Sequence, residues 1–367
     1  EIERLKAERE RAEAERKRVE AAAAAKAEEE RKAKLAATSP PPGTPAPAGS
    51  APVTVAPSVK PFTIKIQSGL PAVLEIAGKH PNRLAALLSN RSGGKLALEV
   101  LALNSVVPYG TVPDAIRDGR LDGGWFVKAA LINANSAFSL FMGQVPFGHA
   151  PERAVRWIEG PGRRLLDDNA KSLGLHSLPC AVMGAEGTWL KRPLTTPDDL
   201  KGLKLRWFGM GHTVLSRFGA LPQLMQAGDI YNALQSGGID GTEFSVPKVD
   251  AAMGFDRVAS NYYFPSWHQP AWIIDLTLSN ATWQLLGPER RTLIEGVCRQ
   301  LMRETLSEIA RDEKEGLDEL RRRGVTVRPY PPAVLAALKR VFDQVAAEES
   351  AKNPRFKEAL ESYLRFR

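Results

Sequence analysis

Arg206 ends the alternating stretch LKLRW (203–207), just ahead of Phe208 and the glycines Gly209 and Gly211. A guanidinium presents a rigid planar fork that holds a carboxylate by two parallel charge-assisted bonds, and strand ends are where α/β folds offer ligands. Most arginines are exposed, so the residues alone favour a surface ion pair at this position. Glu243 lies in GIDGTEF (238–244), where glycines allow the backbone to approach a neighbour or a ligand closely. A carboxylate there can order the arginine, bind a cation, accept from a ligand hydroxyl or cap local structure. The run NYYFPSWHQPAW (261–272) carries Trp267 and His268; with Trp125, Trp189, Trp207 and Phe244 these are candidate pocket-lining residues. Aromatics at that density also build cores.

Signatures of covalent or phosphoryl chemistry are missing. The chain has no nucleophile elbow, phosphate loop, HExxH pair or dinucleotide glycine fingerprint, so no catalytic residue is named and an enzyme is not expected. The five histidines, His80, His149, His176, His212 and His268, are far apart and none has a metal-ligand neighbour at usable spacing. Cys180 and Cys298 offer neither a metal-spaced pair nor a disulfide framework, and the compartment cannot be read from them.

The elements that must position Arg206 and Glu243 alternate between strand and helix. FTIKI (62–66) and KLALEVL (95–101) read as strands around a helix carrying Leu84, Leu87 and Leu88 on one face. A helix over 112–118 stopped by Gly119 precedes a strand at 121–126. Pro151 to Leu173 reads as helix broken at Gly160-Pro161-Gly162, and LHSLPCAVM follows as a strand. Next come LKLRW, a helix through 214–218, LPQLM (221–225) as strand, and a helix in DIYNALQSGG with Asp229 as its cap. Pro288 to Arg323 reads as one long helix stopped at Gly324, bracing two lobes or a partner subunit. A strand VTV and a last helix opened by Pro331-Pro332 close the chain. The alternation argues for parallel sheets wrapped by helices, and the length allows two of them with a crevice between.

Composition sets outer bounds. The 43% hydrophobic and 25% charged residues suit a globular chain with a sizeable core, and no apolar run is long enough to span a bilayer. The net charge of +8 is interleaved with acids rather than gathered in a block, which argues against nucleic acid and for attraction of anionic ligands. Residues 1–37 are almost entirely Glu, Arg, Lys and Ala and read as a solvated spacer helix; 38–58 are rich in Pro and Ala and read as disordered linker.

Taken in order, TTPDDLKGLKLRWFGMG (195–211), RFGALPQLM (217–225), GDIYNALQSGGIDGTE (228–243) and NPRFKEALESYLRFR (353–367) resemble the substrate-binding receptors of tripartite ATP-independent periplasmic (TRAP) transporters. QVPFG (144–148), the glycine-interrupted helix and YYFPSWHQP resemble the branch that binds α-keto acids. The resemblance implies a two-lobed α/β periplasmic-binding fold with hinge strands and a long C-terminal helix. Lobe 1 would span 59–185, completed by about 275–367, and lobe 2 would span 186–274. The fold would close around a small organic carboxylate, and the family's carboxylate-binding arginine falls on Arg206. The branch also holds a metal ion, typically sodium, partly through the glutamate that falls on Glu243 and the backbone of the next aromatic, here Phe244 where the branch usually has Trp. Its other metal-binding side chain, a glutamine, is replaced by Ala185; Glu186 substitutes only by pointing into the cleft. Further implications are TRAP membrane subunits as partners, a homodimer through the C-terminal helix, and a periplasmic location with an N-terminal tether. The N-terminal stretch, which ordinary receptors of the family lack, leaves a second expectation open: a ligand-sensing module fused behind another domain, cytoplasmic and without transport.

Overall fold

The computed structural model describes residues 61–72, 74 and 78–366. The expected spacer helix and linker lie outside the described residues. Among the described residues eleven strands form two sheets: β1 (Phe62–Ser68), β2 (Leu96–Leu101), β3 (Gly123–Val127), β4 (Leu175–Met183), β5 (Thr188–Leu190), β6 (Lys204–Arg206), β7 (Leu221–Gln223), β8 (Gly241–Glu243), β9 (Asn261–Tyr263), β10 (Trp272–Ser279) and β11 (Thr326–Arg328). The first sheet has the order β2-β1-β3-β10-β4 and the second β11-β9-β5-β8-β6-β7. This is a two-lobed α/β fold, one sheet to each lobe.

The sheets are mixed rather than parallel throughout. β1 runs parallel to β2 and β3, but β10 is antiparallel to both β3 and β4. In the second sheet β6 is parallel to β7 and β8, while β5 is antiparallel to β8 and β9. The cause is the chain path: it crosses from the first sheet at Gly184–Gly187 and returns through Phe264–Ala271, so the returning β10 enters the first sheet against the outgoing β4. The third crossing is the helix Gly287–Arg322, which carries the chain back to β11 on the second sheet. The segment 275–367 therefore contributes to both sheets.

That helix buries Ile294, Val297, Leu301 and Met302, and packs along β4 and the helix Pro247–Ala252. The apolar stripe that made a homodimer conceivable is thus covered by the chain itself. β4 would be a bare edge strand, but the long helix on one side and Pro161–Ser172 on the other cover it, as edge strands require. Cys180 on β4 and Cys298 on the helix form a disulfide across a sequence separation of 118, correcting the reading that found no disulfide. Spacing could not show a pair that only tertiary packing brings together.

Two boundary readings also change. Asp229 does not cap its helix: Ala227–Ser236 starts earlier, with Gln226 at the cap position and Asp229 inside the first turn. The closing helix is two, Pro332–Lys352 and Pro354–Arg365, because Asn353 turns the chain and its side chain accepts from Arg355 N and Phe356 N.

Candidate functional site

β6 and β8 are parallel neighbours, with Arg206 opposite Thr242, so Arg206 and Glu243 end adjacent strands at the same end of the sheet. Sequence distance between them is thereby erased. Arg206 Nη1 donates to Glu243 Oε2 at 2.7 Å and to the Glu243 carbonyl at 2.9 Å, and Nε donates to the Met225 carbonyl at 3.4 Å. None of these bonds uses Nη2. The Arg206 side chain is 16% exposed, and Phe244 lies 6.0 Å from its guanidinium in a cation–π arrangement. Glu243 is buried, and its Oε1 has no hydrogen-bond partner.

The crossing segments meet at this strand end. Glu186 N donates to Gln269 O and Ser266 N donates to Glu186 O, at 3.1 and 2.8 Å, while Gly187 N reaches Ser245 O at 3.1 Å. Position 187 admits only glycine, since a Cβ would lie 1.9 Å from the Tyr262 ring and hydroxyl. This close seating brings the Glu186 carboxyl 2.6 Å from His268 Nε2; His268 Nδ1 lies 2.7 Å from Ser266 Oγ, which lies 3.0 Å from Thr188 Oγ1. Glu186 and His268 are each 1% exposed, so no solvent competes for these bonds.

Burial sets the protonation. It pushes the Glu186 carboxyl up to about 8, against the pull of Arg206, and pushes the His268 imidazole down to about 4. Burial likewise raises Glu243 to about 7, with Arg206 opposing and Glu186 adding to the rise. The assignment these directions support is a neutral pair: Glu186 donates to Nε2, and Nδ1–H donates to Ser266. One oxygen of each carboxylate and one nitrogen of His268 all lie within 4.8 Å of one another.

The sequence pattern of the bacterial extracellular solute-binding proteins, family 7, matches residues 71–353. The chain belongs to this family. A monocarboxylate 2-oxoacid-binding periplasmic protein of Nostoc sp. is 26% identical over 317 residues, 83% of this chain and 87% of the relative. A TRAP transporter solute-binding protein from Bordetella bronchiseptica, with copurified calcium and picolinate in its active site, is 26% identical at a TM-score of 0.77, covering 83% of this chain and 91% of its own. A TRAP periplasmic solute-binding protein from Pseudoalteromonas atlantica, with bound sodium and pyruvate, has the same fold at a TM-score of 0.78 and 23% identity, covering 84% of this chain and 94% of its own.

Within this solute-binding protein the residues named from the sequence separate into two groups. Arg206, Glu243, Phe244 and His268 come together, with Trp207 edge-on to His268 at 4.7 Å and stacked on Trp267 at 6.0 Å. Trp189 is buried against Tyr262 and Phe255, and Trp125 lies in the core of the first sheet. His268 was read as lacking a metal-ligand neighbour; its neighbours Glu186 and Glu243 are distant only along the chain. Glu186 points onto His268. Ser266, Thr188 and Gln269 were not singled out, and no local signal marks them.

Proposed function

We propose that this solute-binding protein captures a small organic acid, a 2-oxo acid or a related mono- or dicarboxylate, with Arg206 as the anchor of its carboxylate. The observation that carries the reading is the arginine itself: fixed by Glu243 at a strand end, roofed by Phe244, and with Nη2 left over for a ligand. Phe244, Trp207 and Trp267 supply apolar surface, and His268 a polar group beside it. The 2-oxoacid binding of the Nostoc relative and the picolinate of the Bordetella one favour such a planar carboxylate. No bond is made or broken; the solute selects a closed arrangement of the lobes by contacts it makes only there.

A cation beside the ligand fits the residues present. Glu243 Oε1 is a buried acceptor without a partner, Glu186 stands within reach, and the Phe244 backbone adjoins them. When bound, the ion supplies positive charge opposite Arg206, and Glu186 and Glu243 would hold it. Uptake through TRAP membrane subunits in the periplasm follows from the same reading. The disulfide supports an oxidising compartment and speaks against the fused cytoplasmic sensor. An N-terminal tether agrees with a charged, proline-punctuated stretch ahead of the lobes.

Calorimetric titration with pyruvate, longer 2-oxo acids and C4-dicarboxylates tests this. We expect one class to bind, and Arg206→Ala to weaken it by about 100-fold or more, the loss typical when one member of a buried charge pair is removed. Unchanged affinity in the variant would sink the anchor assignment, and no binding of any acid would sink the function.

A further inference from the structure

We propose that Glu186, Glu243 and His268 bind a first-row divalent transition-metal ion, and that the solute is held together with that ion; the second clause rests on the carboxylate reading above, the first does not. The three donors come from three separate segments: Glu186 from the outgoing crossing, His268 from the returning one, and Glu243 from the end of β8. They converge within 4.8 Å, and all three are buried.

Four observations point to an ion rather than to a structural cluster. Glu243 is 3% exposed, and its Oε1 has no partner, a state that buried carboxylate oxygens rarely keep. The imidazole is oriented as metal-bound histidines are: Nδ1 lies 2.7 Å from Ser266 Oγ, itself 3.0 Å from Thr188 Oγ1, which holds the ring with Nε2 toward the carboxylates. The indole of Trp207 lies edge-on to the ring and Trp267 packs behind it, so the ring sits in a dry setting with little freedom to turn away.

The fourth is charge. An ion takes the place of the carboxyl protons; with Glu186 and Glu243 then ionised and one carboxylate arriving, three negative charges face the single positive charge of Arg206. A divalent ion closes that difference, and a monovalent ion leaves one buried negative charge unmatched, which is costly. Asp250 stays outside this count: the Tyr262 hydroxyl donates to it at 2.9 Å, and burial holds its carboxyl well above the usual range. The donor set then decides the kind of ion. Sodium, magnesium and calcium prefer oxygen alone, whereas an imidazole nitrogen beside carboxylates suits ions in the manganese-to-zinc series. A 2-oxo acid, with a carboxylate and an adjacent carbonyl, can add two oxygens to such an ion.

The test is made on the whole protein after chelator treatment and exchange into sodium-free buffer. Mn²⁺, Zn²⁺, Ca²⁺ and Na⁺ are titrated separately by calorimetry without any acid. We expect Zn²⁺ and Mn²⁺ to bind about 100-fold or more tightly than Ca²⁺, with no heat from Na⁺. His268→Gln should remove most of that preference, leaving Ca²⁺ affinity within a few-fold. Because this variant could misfold, Co²⁺ loaded into the unaltered protein gives a second readout: visible d–d bands of a nitrogen-containing site, shifting when pyruvate is added. Ca²⁺ binding as tightly as Zn²⁺, Co²⁺ spectra of an all-oxygen site, or no metal binding would each overturn the inference. Pyruvate titrated with chelator present separates the two readings. Arg206-dependent pyruvate binding without any transition-metal binding leaves the function standing and removes the ion; metal binding without capture of any acid does the reverse.

Discussion

Lys128 with Asp275, on the first sheet, and Arg206 with Glu243, on the second, are both buried ion pairs, and they differ in what they leave over. Lys128 Nζ donates to Asp275 Oδ1 and to the Phe141 carbonyl at 3.2 Å, and Ser177 Oγ donates to Asp275 Oδ2. Both side chains are 0% exposed, and both carboxylate oxygens are used. Burial lowers the lysine's affinity for its proton, and Asp275 opposes that. The second pair sits at a strand end, keeps part of its arginine side chain exposed and leaves one carboxylate oxygen unmatched. A buried network with every member matched holds a fold in one arrangement; one with an unmatched acceptor is suited to receive something else.

Three perturbations would break or sharpen that contrast. The largest effect belongs to Lys128→Met, which strands Asp275 in the core: urea unfolding should show a loss of about 3–5 kcal/mol, largely recovered by adding Asp275→Leu. Pyruvate affinity should hold wherever the variant is folded; a small cost, or a loss of affinity in step with stability, would erase the distinction between the pairs. Reducing Cys180–Cys298 comes next, at about 2–4 kcal/mol. Melting under reductant should drop while calorimetric solute affinity stays within a few-fold, because the bridge ties β4 to the long helix rather than to the site.

The smallest effect is in pH. Burial pushes His176, stacked on Trp283, down to about 4, so between about 6.5 and 4 the unfolded chain takes up a proton that the folded one refuses. Stability is therefore lost as pH falls through that window. His176→Phe should flatten this acid limb by on the order of 1 kcal/mol, allowing for the solvent that still reaches the ring. Melting scans across pH with and without pyruvate should show the same flattening in both, since His176 lies half-buried against Trp283 and away from the candidate site.

The sequence carried the fold to the extent that periodicity can. β1, β4, the interrupted helix at Gly160 and the long helix all announce themselves through alternation, glycine stops or helical spacing. β5, β8 and β9 are three residues each, too short for any period, and they are the strands that carry Trp189, Glu243 and the aromatic run. The direction of β10 could not be read either: a buried hydrophobic strand looks the same in a parallel or an antiparallel setting. At the site, Arg206 and Glu243 stood out by their position beside glycines and aromatics, and the family resemblance gave Arg206 its expected role. Glu186 and His268 are 82 positions apart, Lys128 and Asp275 147, and no local pattern links such partners. Only the chain path through the two crossings does.

Those crossings have a mechanical consequence. Because Glu186 and Ser266 are joined backbone to backbone, the outgoing and returning segments form a short strap that must twist as one piece. In any rotation of one lobe against the other, displacement grows with distance from such a pivot, as along a lever arm. Glu186 and His268 lie on the strap itself, where the arm is shortest. In a rotation about the strap, their mutual geometry would change less than that of residues further out on either lobe.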